Sequence, residues 1–314
     1  MKIPLIVVVG PTASGKTRLA IELAKIYNGE VVSADSMQIY KEMQIATAKP
    51  DEAEMDGVKH HLIDFLDPDE NFSVADYLLL ARKCIDDIIS RGKQPIICGG
   101  TGLYISSLVD NIKFDDTCSN TELRNELLSL SKEKGNKYLW DMLNEFDPQT
   151  ASTLHENNLM RVIRAIEVYK ETSVPLSQHK INSRAEQTPF NCCFIGLSCN
   201  DRQKLYDRIN LRVDRMLETG LVEEAKKFYC SFSPTTAKQA IGYKELIPFF
   251  EGSMGLDECV DKIKQETRRY AKRQLTWFKR NPDINWIMTD QFLSHSDIVN
   301  YSVDLINSRG FING

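Results

Sequence analysis

The segment Gly10-Pro11-Thr12-Ala13-Ser14-Gly15-Lys16-Thr17 fits the pattern G-x-x-x-x-G-K-[ST]. It lies between an apolar run at 5–9 and a helical pattern at 17–27 that carries Leu19, Leu23 and Ile26 on one face. This feature constrains the fold more than any other. A glycine loop can cradle phosphate only where a strand delivers it and a helix receives it. The glycines let backbone N–H groups converge on the anion, and the helix dipole favours negative charge at that end. Lys16 is expected to hold the outer phosphate, and the Thr17 hydroxyl is suited to ligate Mg²⁺. The loop alone does not say which phosphate compound it holds.

The pattern around it predicts the architecture. Apolar runs at 31–33, 61–65 and 95–98 alternate with helical patterns, one of them opened by Ser73-x-x-Asp76 and stopped at Gly92. Such alternation predicts an α/β P-loop core, a parallel sheet flanked by helices, with ligands at the carboxyl ends of the strands. Strand patterns vanish from about residue 115, where helices are predicted at 121–134, 136–145 and 159–171. We read 115–190 as an all-helical insertion domain between a first part of the core, 1–114, and a second, mostly helical part, 191–314. The run at 192–199 returns to the sheet, and helices are predicted at 201–219, 222–229, 238–250 and 257–279.

Composition narrows the function. The 314 residues are 42% hydrophobic and 26% charged, enough apolar material for a full core. No apolar run approaches the roughly 18 to 20 residues that cross a bilayer, so no membrane partner is expected and a cytoplasmic location is. The formal charge of -5 excludes a generally basic nucleic-acid binder; an RNA partner would need a local basic surface. Eight cysteines include no Cys-x-x-Cys pair, which argues against zinc and against a disulfide framework.

Several other residues could join the loop. Asp35, in Ser33-Ala34-Asp35-Ser36-Met37-Gln38 after the second strand, is placed to act as a general base or a Mg²⁺ partner, and equally well as a helix N-cap. Gly99-Gly100-Thr101-Gly102 follows another strand and offers further N–H groups and a hydroxyl. The adjacent His60 and His61 must face opposite ways on a strand, so at most one reaches a site. Basic residues recur at helical spacing as Arg208, Arg212 and Arg215, and again as Arg268, Arg269, Lys272 and Arg273 with aromatics between them, a pattern that suits phosphate.

Taken in order and spacing, GPTASGKT, SADSMQIY, IATAKP, HHLIDF, GGTGLY, RVIRAIEV, QAIGYKE and TRRYAKRQLTWF resemble the tRNA dimethylallyltransferases, also called tRNA isopentenyltransferases, over about residues 3–286. The resemblance implies that Gly10, Pro11, Thr12, Ala13, Ser14, Gly15, Lys16 and Thr17, with Arg212, bind the diphosphate of dimethylallyl diphosphate. It implies transfer of the dimethylallyl group to N6 of the adenosine next to the anticodon. Asp35 would then be the general base, Thr101 and Lys16 its catalytic companions, and Thr17 the ligand of the Mg²⁺ cofactor. The same resemblance assigns tRNA contacts to Asp35, Ser36, Met37, Gln38 and Thr101, to Met160, Arg161, Val162, Ile163 and Arg164, and to Gln239, Gly242 and Lys244. Arg124 would stack where the target base had been, and the insertion would clamp the anticodon stem-loop. A monomer is expected, and the tail after Trp286, which lacks the cysteines and histidine pair of the zinc finger that eukaryotic members often add, resembles the compact bacterial type. Competing readings are an ATP-dependent small-molecule kinase or NTPase, an adenylate isopentenyltransferase, and an RNA-binding module with an idle P-loop.

Overall fold

The computed structural model describes residues 2–113, 121–183, 187–231 and 236–310. They form two compact units, residues 1–109 with 189–314, and residues 110–188.

The first unit is built on strand β1 (Ile3–Val9), whose residues 5–9 are all fully buried. Helix α1 (Lys16–Ile26) follows the P-loop, then β2 (Gly29–Ser33), a short α2 (Glu52–Met55) and β3 (His60–His61). Next come α3 (Val74–Ser90), β4 (Gln94–Gly99) and α4 (Gly102–Val109). Helix α3 begins with the predicted capping box, in which Ser73 Oγ accepts from the Asp76 amide and the Asp76 carboxylate accepts from Ser73 N–H.

The regular elements among the described residues of the second unit are all helices: α5 (Thr121–Lys134), α6 (Asn136–Phe146), α7 (Pro148–Ala151), α8 (Leu159–Thr172) and α9 (Leu176–Asn182). Its core gathers Leu127, Leu139, Leu143, Val162, Ile163 and Ile166. Full burial of such side chains stabilises by roughly 1.5–3 kcal/mol each, offset largely by chain entropy.

The chain then re-enters the sheet as β5 (Phe190–Ser198) and continues through α10 (Arg202–Glu218), α11 (Leu221–Ser231), α12 (Ile247–Phe250), α13 (Leu256–Phe278), β6 (Asn285–Met288) and α14 (His295–Ser308). The six strands lie in the order β3-β2-β4-β1-β5-β6, every pairing parallel. One apolar layer packs Val32, Ile97 and the inward faces of α3 and α4 against the sheet, and another packs Val31, Ile96 and the faces of α1 and α14. Register aligns Val9 with Gly99 and Gly196, and Ser33 with Cys98, so the loops after β1, β2, β4 and β5 leave the same edge side by side.

Three expectations change. The third strand is His60–His61 and not 61–65, because Leu62 (φ 58°) and Asp64 (φ 57°) turn the backbone out of the extended region. No continuous helix fills 238–250: a 3₁₀ turn at Ala237–Gln239 gives way to Gly242 at φ 105°, and α12 starts only with Pro248 in its first turn. Strand β6 and helix α14 add an edge that periodicity did not disclose.

Candidate active site

The P-loop sits where β1 meets α1. Ala13 (φ 61°) and Gly15 (φ 92°) adopt the left-handed region, the alternation that turns successive backbone N–H groups inward to form an anion nest. A Cβ on Gly10 would lie 2.4 Å from the Leu197 carbonyl oxygen of β5, so only glycine fits there. The Ser14 hydroxyl is buried without a protein partner, a donor inside the loop that an anion would satisfy.

Lys16 donates to the Pro11 carbonyl at 2.8 Å. Burial pushes its ammonium down to about 8; Cys98 and Asp35 oppose that shift and neighbouring Arg212 adds to it. The Arg212 guanidinium, from α10, is likewise held below its ordinary value by burial, against the attraction of Asp35 and Glu54. Among the described residues Arg212 has no hydrogen bond or ion pair. Two cations thus converge on one place without a protein counter-ion in contact, which buried charge tolerates poorly unless an anion arrives.

Asp35 caps the turn that follows β2: its Oδ1 accepts from the Met37 amide at 2.9 Å and the Gln38 amide at 3.3 Å. The capping and site readings are therefore both present, since Oδ2 bonds to no described residue and Asp35 lines the central cavity. Thr101 Oγ1 accepts from the Ser36 amide at 3.0 Å and donates to Ser36 Oγ at 3.3 Å, locking the β4 loop to this turn.

One residue that joins the loops was not singled out, although it lies within TRRYAKRQLTWF. Gln274 of α13 accepts from the Thr12 amide through Oε1 at 2.8 Å and donates through Nε2 to the Gly100 carbonyl at 3.1 Å. It staples the P-loop to the β4 loop. The available sign was its i+4 spacing from Tyr270, whose buried phenol is raised by desolvation and lies beside Thr101 and Gln274.

These groups surround a cavity of about 310 Å³. Lys16, Thr17, Asp35 and Arg212 give it a charged end; Met37, Val213, Met216 and Ile263 give it an apolar wall. Ser36, Gln239, Gly242 and Lys244 line it too. The adjacent histidines do split: His60 lines the cavity, while His61 bonds Glu30 at 2.7 Å on the other face. Neither stands free in solvent.

The insertion requires corrections. Val162 and Ile163 are 0% exposed, so their side chains build the core of the second unit and cannot meet an external RNA. Helical spacing with Ile166 carried that information. Arg124 is not a free stacking group, because it grips buried Glu167 through Nε at 2.7 Å and Nη2 at 2.9 Å. Arg164 also reaches Glu167, at 3.4 Å, whereas Arg161 and Met160 are exposed. In the first unit, the Gln38 amide donates to the Thr47 and Ala48 carbonyls, both at 3.2 Å, so its side chain builds the wall. The basic rows are partly neutralised internally: Arg268 bonds Asn210 at 2.7 Å, and Arg269 pairs with Glu266 at 2.5 Å.

A family model described as IPP transferase matches residues 38–281. The chain belongs to this family. Similar curated relatives are named tRNA dimethylallyltransferase: one from Acetivibrio thermocellus is 54% identical over 297 residues, covering 94% of this chain and 95% of that protein. One from Caldanaerobacter subterraneus subsp. tengcongensis is 47% identical over 303 residues, covering 95% and 96%. Among solved structures, the tRNA isopentenylpyrophosphate transferase of Bacillus halodurans superposes with a TM-score of 0.71 at 42% identity and 98% coverage of both chains. A eukaryotic dimethylallyltransferase described as acting on tRNA gives a TM-score of 0.81 at 30% identity, over 97% of this chain and 79% of its own.

Proposed function

We propose that this chain transfers the dimethylallyl group of dimethylallyl diphosphate to N6 of the adenosine adjacent to the anticodon of tRNA, releasing diphosphate. The observation that carries the reading is the convergence of Lys16 and Arg212 with the Asp35 carboxylate in one cavity of about 310 Å³, in a chain of the IPP transferase family.

The chemistry follows from those groups. Backbone N–H groups of residues 13–17 and the Ser14 hydroxyl receive the diphosphate, and Lys16 and Arg212 neutralise it. The apolar wall accommodates the five-carbon chain. An adenine amine is a weak nucleophile because its lone pair is delocalised into the ring. Asp35, held by two amide donors and with Oδ2 unoccupied, takes the N6 proton as N6 bonds to the terminal dimethylallyl carbon. The bond from that carbon to oxygen breaks, and its electron pair leaves with the diphosphate, whose growing charge falls between the two cations. A positioned base of this kind contributes about 10² to 10⁴ in rate. Thr101 fixes the Asp35 turn through Ser36.

The Thr17 hydroxyl in the cavity suits a hard divalent cation, Mg²⁺, which when bound would lower the charge on the leaving group. Among the described residues no cluster of three or more His, Cys, Asp or Glu could hold a metal, so phosphate oxygens would complete the shell.

The target adenosine must leave its stack, which a single-stranded anticodon loop allows at low cost. Its contacts fall to the 35–38 and 239–244 segments. Exposed Met160 and Arg161 of the insertion serve the anticodon stem-loop. The acting unit is a monomer in the cytoplasm; no helix among the described residues is long and apolar enough to cross a membrane.

The test is the mass of unmodified tRNA after incubation with the protein, Mg²⁺ and dimethylallyl diphosphate, with ATP and AMP as parallel reactants. A prenyl-sized gain on one adenosine is expected. Phosphate transfer from ATP, or prenylation of AMP but not of tRNA, would replace this reading with the corresponding alternative.

A further inference from the structure

Two stretches of the cavity wall, 46–48 and 239–242, come from distant parts of the sequence and meet on one carboxylate. Glu224, half-buried on α11, accepts four hydrogen bonds. Its Oε2 receives the Gln44 amide at 2.9 Å and the Ile45 amide at 2.8 Å; its Oε1 receives the Ala46 amide at 2.9 Å and the Tyr243 hydroxyl at 2.8 Å. Three consecutive backbone N–H groups on one ionised side chain make a rigid clamp, because each bond is charge-assisted. Tyr243 brings the 239–243 turn to the same anchor.

The clamped segment continues toward the site. The carbonyls of Thr47 and Ala48 accept both protons of the Gln38 amide nitrogen. The Gln38 oxygen receives Ser33 Oγ at 3.4 Å, so the side chain is engaged at both ends. Gln38's own backbone N–H is one of the two donors that orient Asp35. An unbroken chain of contacts therefore runs from Glu224 through 44–48 and Gln38 to the Asp35 carboxylate.

We propose that Glu224 is a positioning residue for Asp35, acting through the 44–48 segment and the Gln38 side chain. This rests on the reading of Asp35 as the base. Glu224 touches no reacting atom; it sets where the 44–48 wall stands, and the wall holds Gln38 in the place from which its N–H meets Oδ1. The carboxylate is required and its volume is not sufficient. In Glu224→Gln one oxygen becomes an NH₂ group that faces at least one backbone N–H, so at least one of the four bonds is lost and a donor opposes a donor.

The experiment compares wild type, Glu224→Gln, Gln38→Leu and the double variant at a temperature where all are folded. Single-turnover transfer in Glu224→Gln is expected to slow by about tenfold, while affinity for pyrophosphate stays within about twofold, because the hydrogen bonds of Glu224 and of the Gln38 side chain go to 33, 44–48 and 243 and not to the P-loop. The double variant should be no slower than the slower single variant. Additive losses, or a Glu224→Gln rate within about twofold of wild type, would overturn the relay. Amide hydrogen exchange gives a substrate-free decision: in Glu224→Gln, exchange should rise at 44–46 and also at Met37 and Gln38. A rise confined to 44–46 would reduce Glu224 to a local anchor. If wild type fails to prenylate tRNA, the functional reading falls, while the exchange data still decide the relay.

Discussion

Replacing Lys16 by Met should stabilise the free protein while crippling its anion site. Depression of the ammonium from 10.5 to about 8 means that the folded state opposes protonation. At pH 7 the folded and unfolded chains both carry the proton, so the whole penalty, at most about 3 kcal/mol and less for a half-buried side chain, acts against folding. The variant removes that penalty and also loses the 2.8 Å bond to the Pro11 carbonyl, which contributes about 1–2 kcal/mol. A net gain of about 1 kcal/mol remains, a rise in Tm of about 2–4 °C at pH 7. As pH climbs through 8 toward 10.5 the folded wild type sheds its proton first, its penalty disappears, and the gain of the variant should fade. Pyrophosphate affinity should fall about 10- to 10²-fold at pH 7, the loss of one charge-assisted contact. Scanning calorimetry between pH 6 and about 10 with parallel pyrophosphate titration measures both. A variant that is less stable than wild type at pH 7, or a gain that persists above pH 10, would refute the reasoning.

Asp35→Asn keeps an oxygen for the Met37 and Gln38 amides but cannot accept a proton; single-turnover transfer should fall at least about 10²-fold with tRNA affinity retained, and lost affinity with normal turnover of bound tRNA would remove the base role. Gln274→Leu deletes the bonds to Thr12 and Gly100 and should weaken pyrophosphate binding by about tenfold in direct titration; unchanged affinity would mean the P-loop holds its shape unaided. Ile163→Val should cost about 0.5–1.5 kcal/mol in denaturant unfolding and leave the affinity of the folded protein for an anticodon stem-loop unchanged; weaker binding at equal stability would restore Ile163 as a contact.

What the sequence disclosed depended on how local the cause was. The strand, glycine loop and helix around Lys16 are adjacent in the chain, and their conformations follow from Gly10, Gly15 and the apolar run before them. The helix over 238–250 was misread because periodicity continued through Gly242, where a positive φ breaks the chain. The third strand was misplaced because Leu62 and Asp64 reverse the backbone at once, and β6 is only four residues long. Within the site, the family resemblance singled out Arg212 from Arg208 and Arg215, while Lys16 and Asp35 could be named from residue type and spacing. Gln274 and Glu224 could not, since each acts on backbone groups separated from it by more than 170 residues. Val162 and Ile163 show the reverse error: a recognisable stretch carried function by association, whereas the 3.6-residue period assigned both side chains to the core.

The charge balance of the cavity connects these parts. Lys16, Arg212, Lys244 and Arg273 line it against the single carboxylate of Asp35, and burial lowers the proton affinity of Lys16 and Arg212, so the free site carries unneutralised positive charge. A bound diphosphate carries more than one negative charge and offsets that excess. Two amide donors hold the Asp35 carboxylate through Oδ1. On the proposed reading, Lys16 and Arg212 draw the charge that develops on diphosphate while Asp35 faces the amine. On that reading the geometry that holds the Met37 and Gln38 amides in place is part of the base itself, and a change at Glu224 in the first turn of α11 should be felt as a change in transfer without a change in diphosphate affinity.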